Sequence, residues 1–234
     1  MSNVRGATRI VLALSLAAPV ASGAQMNTLT QAEIDAGWLL LFDGRTTDGW
    51  RLYGSMDPPT GWQVEDGQLT RTGPGGDIVY APRQFGDFDL RLEWRVEPGG
   101  NSGILYRGLT VTDYIYKSAP EMQVLDDERH ADGRDPLTSA GSVYGLYPAP
   151  RGVVRPAGEW NEARIVARGP HVEHWLNGVK VAEYELGSAD WSMRVAGSKF
   201  VQWPDFGTSL RGYVALQDHG DRVWYRNIKI RELR

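Results

Sequence analysis

The sequence predicts an all-β protein built as a two-sheet antiparallel sandwich. Residues 88–96, FDLRLEWRV, alternate apolar and charged side chains without a break, the period-two pattern of a strand with one buried face. Two other stretches carry Asp-Gly or Asn-Gly between short extended arms. Because no helical pattern alternates with the strands, turns are expected to connect them. A β-barrel is the structural alternative.

Each of the two Gly-containing stretches is predicted to form a hairpin. Residues 61–70, GWQVEDGQLT, have Asp66-Gly67 at their centre, and residues 174–181, HWLNGVKV, have Asn177-Gly178. A tight two-residue hairpin turn needs positive φ at both central positions, which Asp, Asn and Gly tolerate.

The remaining elements follow from shorter patterns. A capping-box spacing from Thr30 to Glu33 predicts a short helix that ends at Gly37, and everything after it is predicted as strand and turn. Further strands are predicted at 104–107, 121–125, 143–147, 163–168, 213–217 and 223–230.

The first 24 residues are predicted to be a secretory signal peptide. They combine Arg5 and Arg9 with an apolar run over 10–20 and a small-residue cleavage site before Gln25. The apolar run is shorter than the roughly 20 residues of a membrane-spanning helix. We therefore expect a single β-sandwich domain over 25–234, exported to the periplasm or the medium without a membrane anchor.

Charge and cysteine content narrow the possible partners. Removal of the leader takes away two arginines and no acidic residue, so the formal net charge of −4 becomes −6. Nucleic acid is therefore disfavoured as a partner. The chain has no Cys, so it has neither a lipid-attachment cysteine nor a disulfide. The oligomeric state stays open.

Polar residues recur on one predicted strand face, most clearly in residues 120–130, PEMQVLDDERH. On a strand, Met122 and Val124 share the apolar face while Glu121 and Gln123 point the other way. A concave sheet would gather such groups into a sugar-binding groove. Arg95 and Arg107 are expected to keep Glu121 ionised. The alternative is an ordinary solvated face on which Glu121 forms a structural ion pair.

Histidines offer a weaker indication of chemistry. His219 follows Gln217 by two residues, so the two are expected to share a face, and an imidazole there could carry a proton or bind a metal. His174 lies in a predicted hairpin, where packing or hydrogen bonding is expected, and His130 and His171 lie in predicted loops. No HExxH, CxxC, GxSxG or GxxxxGK[ST] motif is present, so any metal site must be assembled from distant strands.

Seven groups of short segments occur in a characteristic order along the chain. They are GW, LFDG and GW between 37 and 50, NSGILYR at 101–107, EMQVLD at 121–126, GEWN at 158–161, HWLNG at 174–178, LQDHG at 216–220 and RNI at 226–228. Taken in order, these segments resemble the 3-keto-disaccharide hydrolase domain family over about residues 37–233. The resemblance implies a concanavalin A-like jelly roll. Residues 142–144, SVY, and the insertion at 191–206 depart from the family pattern, and no role is assigned to Lys199 in that insertion.

The resemblance implies cleavage of sugars that carry a ketone at C3. Such a ketone acidifies the C2 hydrogen, so that one base can start an elimination at C1, and water then completes a net hydrolysis. The implied roles are Glu121 as base or metal ligand and His219 as proton carrier or metal ligand, with a divalent cation as electrophile. Substrate contacts are expected from Asn101, Arg107, Gln123 and Gln217.

Two other functions remain open at this level. A laminarinase-type glycosidase has the signature Glu-x-Asp-x-x-Glu, and Glu121 to Asp126 match its spacing but not its central or last acid. A non-catalytic carbohydrate-binding module is compatible with the nine tryptophans of the chain.

Overall fold

The computed structural model describes residues 25–55 and 57–233. The predicted signal peptide lies outside the described residues. The described chain forms two antiparallel sheets, which confirms the all-β sandwich. Among these residues no helix is long and apolar enough to cross a bilayer.

Thirteen strands build the two sheets. The larger sheet has eight strands, in the order β11-β10-β9-β6-β13-β4-β3 with β1 also paired to β13, and the smaller sheet has the order β2-β5-β12-β7-β8. The strands are β1 Trp38–Leu40, β2 Trp50–Leu52, β3 Trp62–Glu65, β4 Gln68–Arg71, β5 Ile78–Tyr80, β6 Phe88–Val96, β7 Asn101–Gly108, β8 Glu121–Leu125, β9 Asn161–Arg168, β10 His171–Leu176, β11 Val179–Glu185, β12 Tyr213–Leu216 and β13 Val223–Glu232.

Local patterns located several of these strands correctly. The unbroken alternation at 88–96 is β6, whose inward side chains lie in the main core. Asp66 and Asn177 adopt φ of 49°, each followed by a glycine with positive φ, so both predicted hairpins are confirmed as β3–β4 and β10–β11. The capping box at Thr30 opens α1, Gln31–Asp35.

The prediction of only strands and turns after α1 is wrong. A second helix, α2, spans Ala189–Ala196 and is capped by Ser188, whose side chain accepts a hydrogen bond from the Trp191 amide. Among the described residues, three short 3₁₀ helices also lie between strands, at Ile115–Lys117, Ala131–Arg134 and Lys199–Gln202. Residues 143–147 form a tight loop closed by a Val143–Tyr147 bridge instead of the predicted strand.

Hydrophobic residues fill both the space between the sheets and a small region outside the smaller sheet. The main core includes Trp50, Trp94 and Tyr225, all almost fully buried. A second cluster contains Leu105 and Ala215 together with residues of the Ile115 helix. Chain segments therefore cover part of the outer face of the smaller sheet, which makes a partly enclosed site possible on that face.

Candidate active site

The pairing of the strands brings polar side chains together across the smaller sheet. Gly103 on β7 is paired with Gln123 on β8. The backbone amide of Gln217, just after β12, donates a hydrogen bond to the Gly103 carbonyl. Leu105 is paired with Glu121 one step along. Because alternate residues share a face, Glu121 and Gln123 both project outward, away from the main core.

These side chains line a cavity of about 270 Å³ on the outer face of the smaller sheet. Glu121 and His219 both line it, so the two residues that the resemblance singles out face one space. The full lining is Asn101, Tyr116, Glu121, Gln123, Tyr144, Lys199, Phe200, Trp203, Gln217 and His219.

Glu121 is a buried carboxyl group without a hydrogen-bond donor among the described residues, and its side chain lies across β7. A Cβ atom placed on Gly103 would approach the Glu121 Oε1 to 2.1 Å, so glycine is required beneath it. Burial raises the pKa of Glu121 from 4.5 to about 8, with Lys199 acting in the opposite direction and Asp77 adding to the increase. The cavity therefore holds a carboxyl group that titrates near neutral pH.

The cationic neighbour of Glu121 is Lys199, not the two predicted arginines. Arg107 lies in the left-handed region at φ 54°, next to a register shift between β7 and β12, so the alternation that predicted its direction is interrupted there. Its buried guanidinium donates to the carbonyls of Gly86 and Gly169. Arg107 therefore does not line the cavity, and its predicted role as a substrate contact is wrong.

Arg95 lies on β6 in the other sheet. Its guanidinium stacks over Trp224 and Trp160 at 4.5 and 5.0 Å from their ring centroids. The prediction that Arg95 holds Glu121 ionised is wrong, because alternation identifies a polar face but does not say which of two sheets carries it.

Three amide side chains in the cavity have unused hydrogen-bonding atoms. Among the described residues nothing pairs with Asn101 Oδ1, Gln123 Nε2 or Gln217 Oε1, although all three atoms are buried. Buried polar atoms are normally satisfied, since an orphaned one costs about 1–3 kcal/mol. An unpaired donor and two unpaired acceptors around one space are the pattern expected of groups reserved for a ligand.

The segment between β11 and β12 forms the roof of the cavity. It contributes Lys199, Phe200 and Trp203, and the Lys199 ammonium lies 4.5 Å from the centre of the Tyr144 ring. Sequence reasoning left Lys199 without a role because the segment departs from the family pattern. Only the three-dimensional packing brings it to Glu121.

Of the other histidines, His130 lies beside His219, whereas His171 and His174 lie on β10 of the other sheet. His219 is exposed, and the His130 ring meets it edge to face with centroids 6.2 Å apart. His174 is buried, hydrogen bonds to the Tyr106 hydroxyl at 2.7 Å, and has its pKa lowered to about 4 by burial. His174 is therefore a neutral structural group, as its hairpin position suggested.

The side chains do not support the predicted metal site at Glu121 and His219. In the described part of the chain, Glu121 and His219 belong to no group of three imidazole or carboxylate ligands close enough to share one ion. The described residues that meet this criterion are His171, Glu173 and Glu183, on β10 and β11 of the other sheet. Lys180 already contacts both glutamates of that group.

Comparison with known proteins identifies the family. The model of the 3-keto-alpha-glucoside-1,2-lyase-like domain matches residues 37–231. The chain belongs to this family. A 3-keto-disaccharide hydrolase from Bacteroides thetaiotaomicron is 38% identical over 243 aligned residues, which cover 90% of this chain and 83% of the relative.

Solved structures agree with the family assignment. One crystal structure from Parabacteroides distasonis ATCC 8503, provisionally named a glycosyl hydrolase, is 34% identical and has a TM-score of 0.83, covering 90% of this chain and all of its own. A second from the same organism, with the same provisional name, is 29% identical with a TM-score of 0.68, covering 84% and 99%.

Proposed function

We propose that this chain cleaves glycosides whose sugar carries a ketone at C3, by removing the C2 proton, eliminating the group at C1 and adding water to the product. Family membership supports the broader description, a hydrolase that cleaves glycosides. The observation that carries the finer proposal is the buried carboxyl group of Glu121 beside Lys199 and three unpaired amides, in a cavity of about 270 Å³.

Glu121 acts as the base. A carboxylate of ordinary pKa is a weak base toward a carbon acid, and a raised pKa makes it stronger while leaving a usable ionised fraction near neutral pH. Burial raises the pKa of Glu121 to about 8, which suits this task. The C2–H electron pair moves toward the C3 carbonyl, whose oxygen becomes negative.

Lys199 and Gln123 stabilise this negative oxygen. The Lys199 ammonium is the cation that favours the ionised form of Glu121, and Gln123 Nε2 is an unpaired buried donor. Fixed donors in a water-poor site stabilise developing charge more strongly than water does. The free oxygens of Asn101 and Gln217 accept hydrogen bonds from sugar hydroxyl groups.

His219 exchanges protons between Glu121 and water. It lines the cavity and is also exposed, so it connects the enclosed base with solvent. When the negative charge returns from the C3 oxygen, the bond at C1 breaks. Water then adds at C1 of the unsaturated ketone and a proton returns to C2, so the net reaction is hydrolysis.

A conventional two-carboxylate glycosidase is less well supported. The second acid in the laminarinase-like spacing, Asp126, accepts hydrogen bonds from the amides of Gly99 and Glu128 and does not line the cavity. Asp126 therefore cannot serve as the second carboxyl group that retaining and inverting mechanisms need beside the scissile bond. A binding module would have no use for the buried carboxyl group of Glu121, whose ionisation burial makes unfavourable.

The base step can be tested apart from bond cleavage. The 3-keto derivative of 1,5-anhydroglucitol has no exocyclic leaving group at C1, so the enzyme in D₂O should exchange its C2 hydrogen without releasing an alcohol, and NMR detects this exchange. Glu121→Gln should abolish this exchange and also the cleavage of 3-keto-disaccharides, while Glu128→Gln, an exposed residue outside the cavity, should leave both intact.

Three further measurements separate the alternative functions. Exchange and cleavage that persist after chelation would count against the divalent cation that the resemblance implies, whereas the loss of both would support it. Full activity of Glu121→Gln would refute the assignment of the base. Cleavage of unoxidised β-glucans would favour the laminarinase-type reading, and binding of plain sugars without turnover would favour a binding module.

A further inference from the structure

A second cavity adjoins the proposed active site. It has a volume of about 290 Å³, close to that of the first, and the two share Tyr116, Gln217 and His219 as a common wall. The Glu121 cavity therefore has a compartment of similar size directly beside it. A substrate with groups on both sides of a glycosidic bond requires two such compartments.

Asp77 supplies a carboxyl group to the second compartment. It precedes β5, which is the neighbour of β12, so it lies across the sheet from Gln217. Its Oδ1 accepts a hydrogen bond from the Asp218 amide at 2.9 Å, and no donor among the described residues reaches Oδ2. Asp77 therefore has one carboxyl oxygen held in place and one oxygen available to a ligand.

The surroundings of Asp77 raise the pKa of its carboxyl group. The pKa rises from 3.8 to about 6, mainly because the group is buried, and the negative charge of Asp218 raises it further. Asp218 itself pairs with Arg71 at 2.7 Å and accepts hydrogen bonds from the amides of Gly75 and Gly76. A fixed neighbouring anion of this kind makes a second negative charge on Asp77 unfavourable.

An aromatic wall runs along both compartments. Tyr114 and Tyr116 are stacked with ring centroids 5.4 Å apart, and Trp203 meets Tyr116 edge to face at 5.4 Å. Tyr114 lines the second cavity and is 52% exposed, whereas Trp203 lines the first. Flat aromatic faces suit the apolar faces of sugar rings, with hydroxyls at the edge for hydrogen bonds.

We propose that the second compartment binds the group that leaves C1, a sugar or another ring-bearing alcohol, and that Asp77 donates its proton to the departing glycosidic oxygen. This inference rests on the proposed function. Glu121 takes the C2 proton, the C2–H electrons form the C1–C2 double bond through the enolate, and the C1–O pair stays on the leaving oxygen. That oxygen takes the Asp77 proton and departs as an alcohol, and water reprotonates Asp77.

Leaving groups of different basicity test the role of Asp77. A sugar alkoxide needs a proton to depart, whereas 4-nitrophenolate does not. Asp77→Asn keeps an oxygen for the Asp218 amide, so the fold should be retained. It should lower kcat/KM for a 3-keto-disaccharide by about 10²-fold or more and that for 4-nitrophenyl 3-keto-glucoside less than about fivefold. Asp48→Asn, an exposed residue away from both cavities, is the matched control.

Each outcome has a distinct meaning. Equal loss on both substrates, or no loss on either, with an active wild-type enzyme would overturn the role of Asp77 and leave the proposed function standing. A wild-type enzyme that turns over neither substrate would overturn both proposals.

The binding half of the inference has its own test. Tyr114→Ala, at an exposed position, should raise KM for the disaccharide about tenfold without changing kcat/KM for methyl 3-keto-glucoside, whose leaving group is too small to reach Tyr114. Equal effects on both substrates would overturn the assignment of this compartment to the leaving group.

Discussion

Replacing Glu121 by Gln should abolish turnover and at the same time stabilise the folded protein at alkaline pH. Burial raises the pKa of this carboxyl from 4.5 to about 8. Between these two pH values the folded state holds more protons than the unfolded state, so the free energy of unfolding falls as the pH rises through that window. Gln cannot ionise, and the variant therefore escapes this loss.

The size of the effect follows from the same pKa change. A change from 4.5 to about 8 corresponds to at most about 5 kcal/mol once Glu121 is fully ionised, and water entering the cavity reduces this to between about 2 and 5 kcal/mol. Urea unfolding followed by tryptophan fluorescence at pH 4.5, 7 and 9 measures it. The variant and wild type should differ little at pH 4.5 and most at pH 9, with Glu128→Gln behaving as wild type.

The opposite result would refute this reasoning. If Glu121 forms a structural ion pair, which the sequence alone allows, its replacement by Gln should destabilise the protein at every pH above about 5. A pH dependence of stability identical in wild type and variant would show that Glu121 does not carry the raised pKa.

Further predictions concern the neighbours of Glu121 and the structural histidine. Lys199→Met should move the rise of kcat/KM with pH to higher pH and lower its plateau, because the charge of Lys199 lowers the pKa of Glu121; an unchanged pH profile would count against this effect. Gly103→Ala should lower kcat at least 10²-fold while the circular dichroism spectrum is retained, because the added methyl group would meet the Glu121 carboxylate at 2.1 Å. His174→Gln should reduce the loss of stability on acidification from pH 6.5 to 4, since burial lowers the pKa of His174 to about 4 and the unfolded state takes up its proton first; urea unfolding at both pH values checks this.

Features set by neighbours in sequence were predictable. The alternation of β6 and the turn residues Asp66 and Asn177 act over a few residues, and the structure contains those elements with the predicted centres. The same local rule identified Glu121 and Gln123 as an outward-facing pair on β8, which is where the cavity lies.

Features set by contacts between distant segments were not predictable from the sequence. Alternation failed at Arg107 because a bulge turned its side chain toward backbone carbonyls. Asp77 and Lys199 have no motif of their own, and they reach the site through strand order and through packing of the roof. The short helix α2 was missed although Ser188 marks its start, because residues 191–206 were interpreted only as an insertion that departs from the family pattern.

The roof segment is built around aromatic rings of its own. Phe206 stacks on Trp191 with centroids 5.8 Å apart and on Phe200 at 4.1 Å, while the strands below supply Glu121 and Gln123. The base thus lies on a strand, whereas Lys199 and the aromatic lining above it come from the roof segment. A change in the length of this segment would alter both the space above the base and the position of the lysine that favours its ionised form.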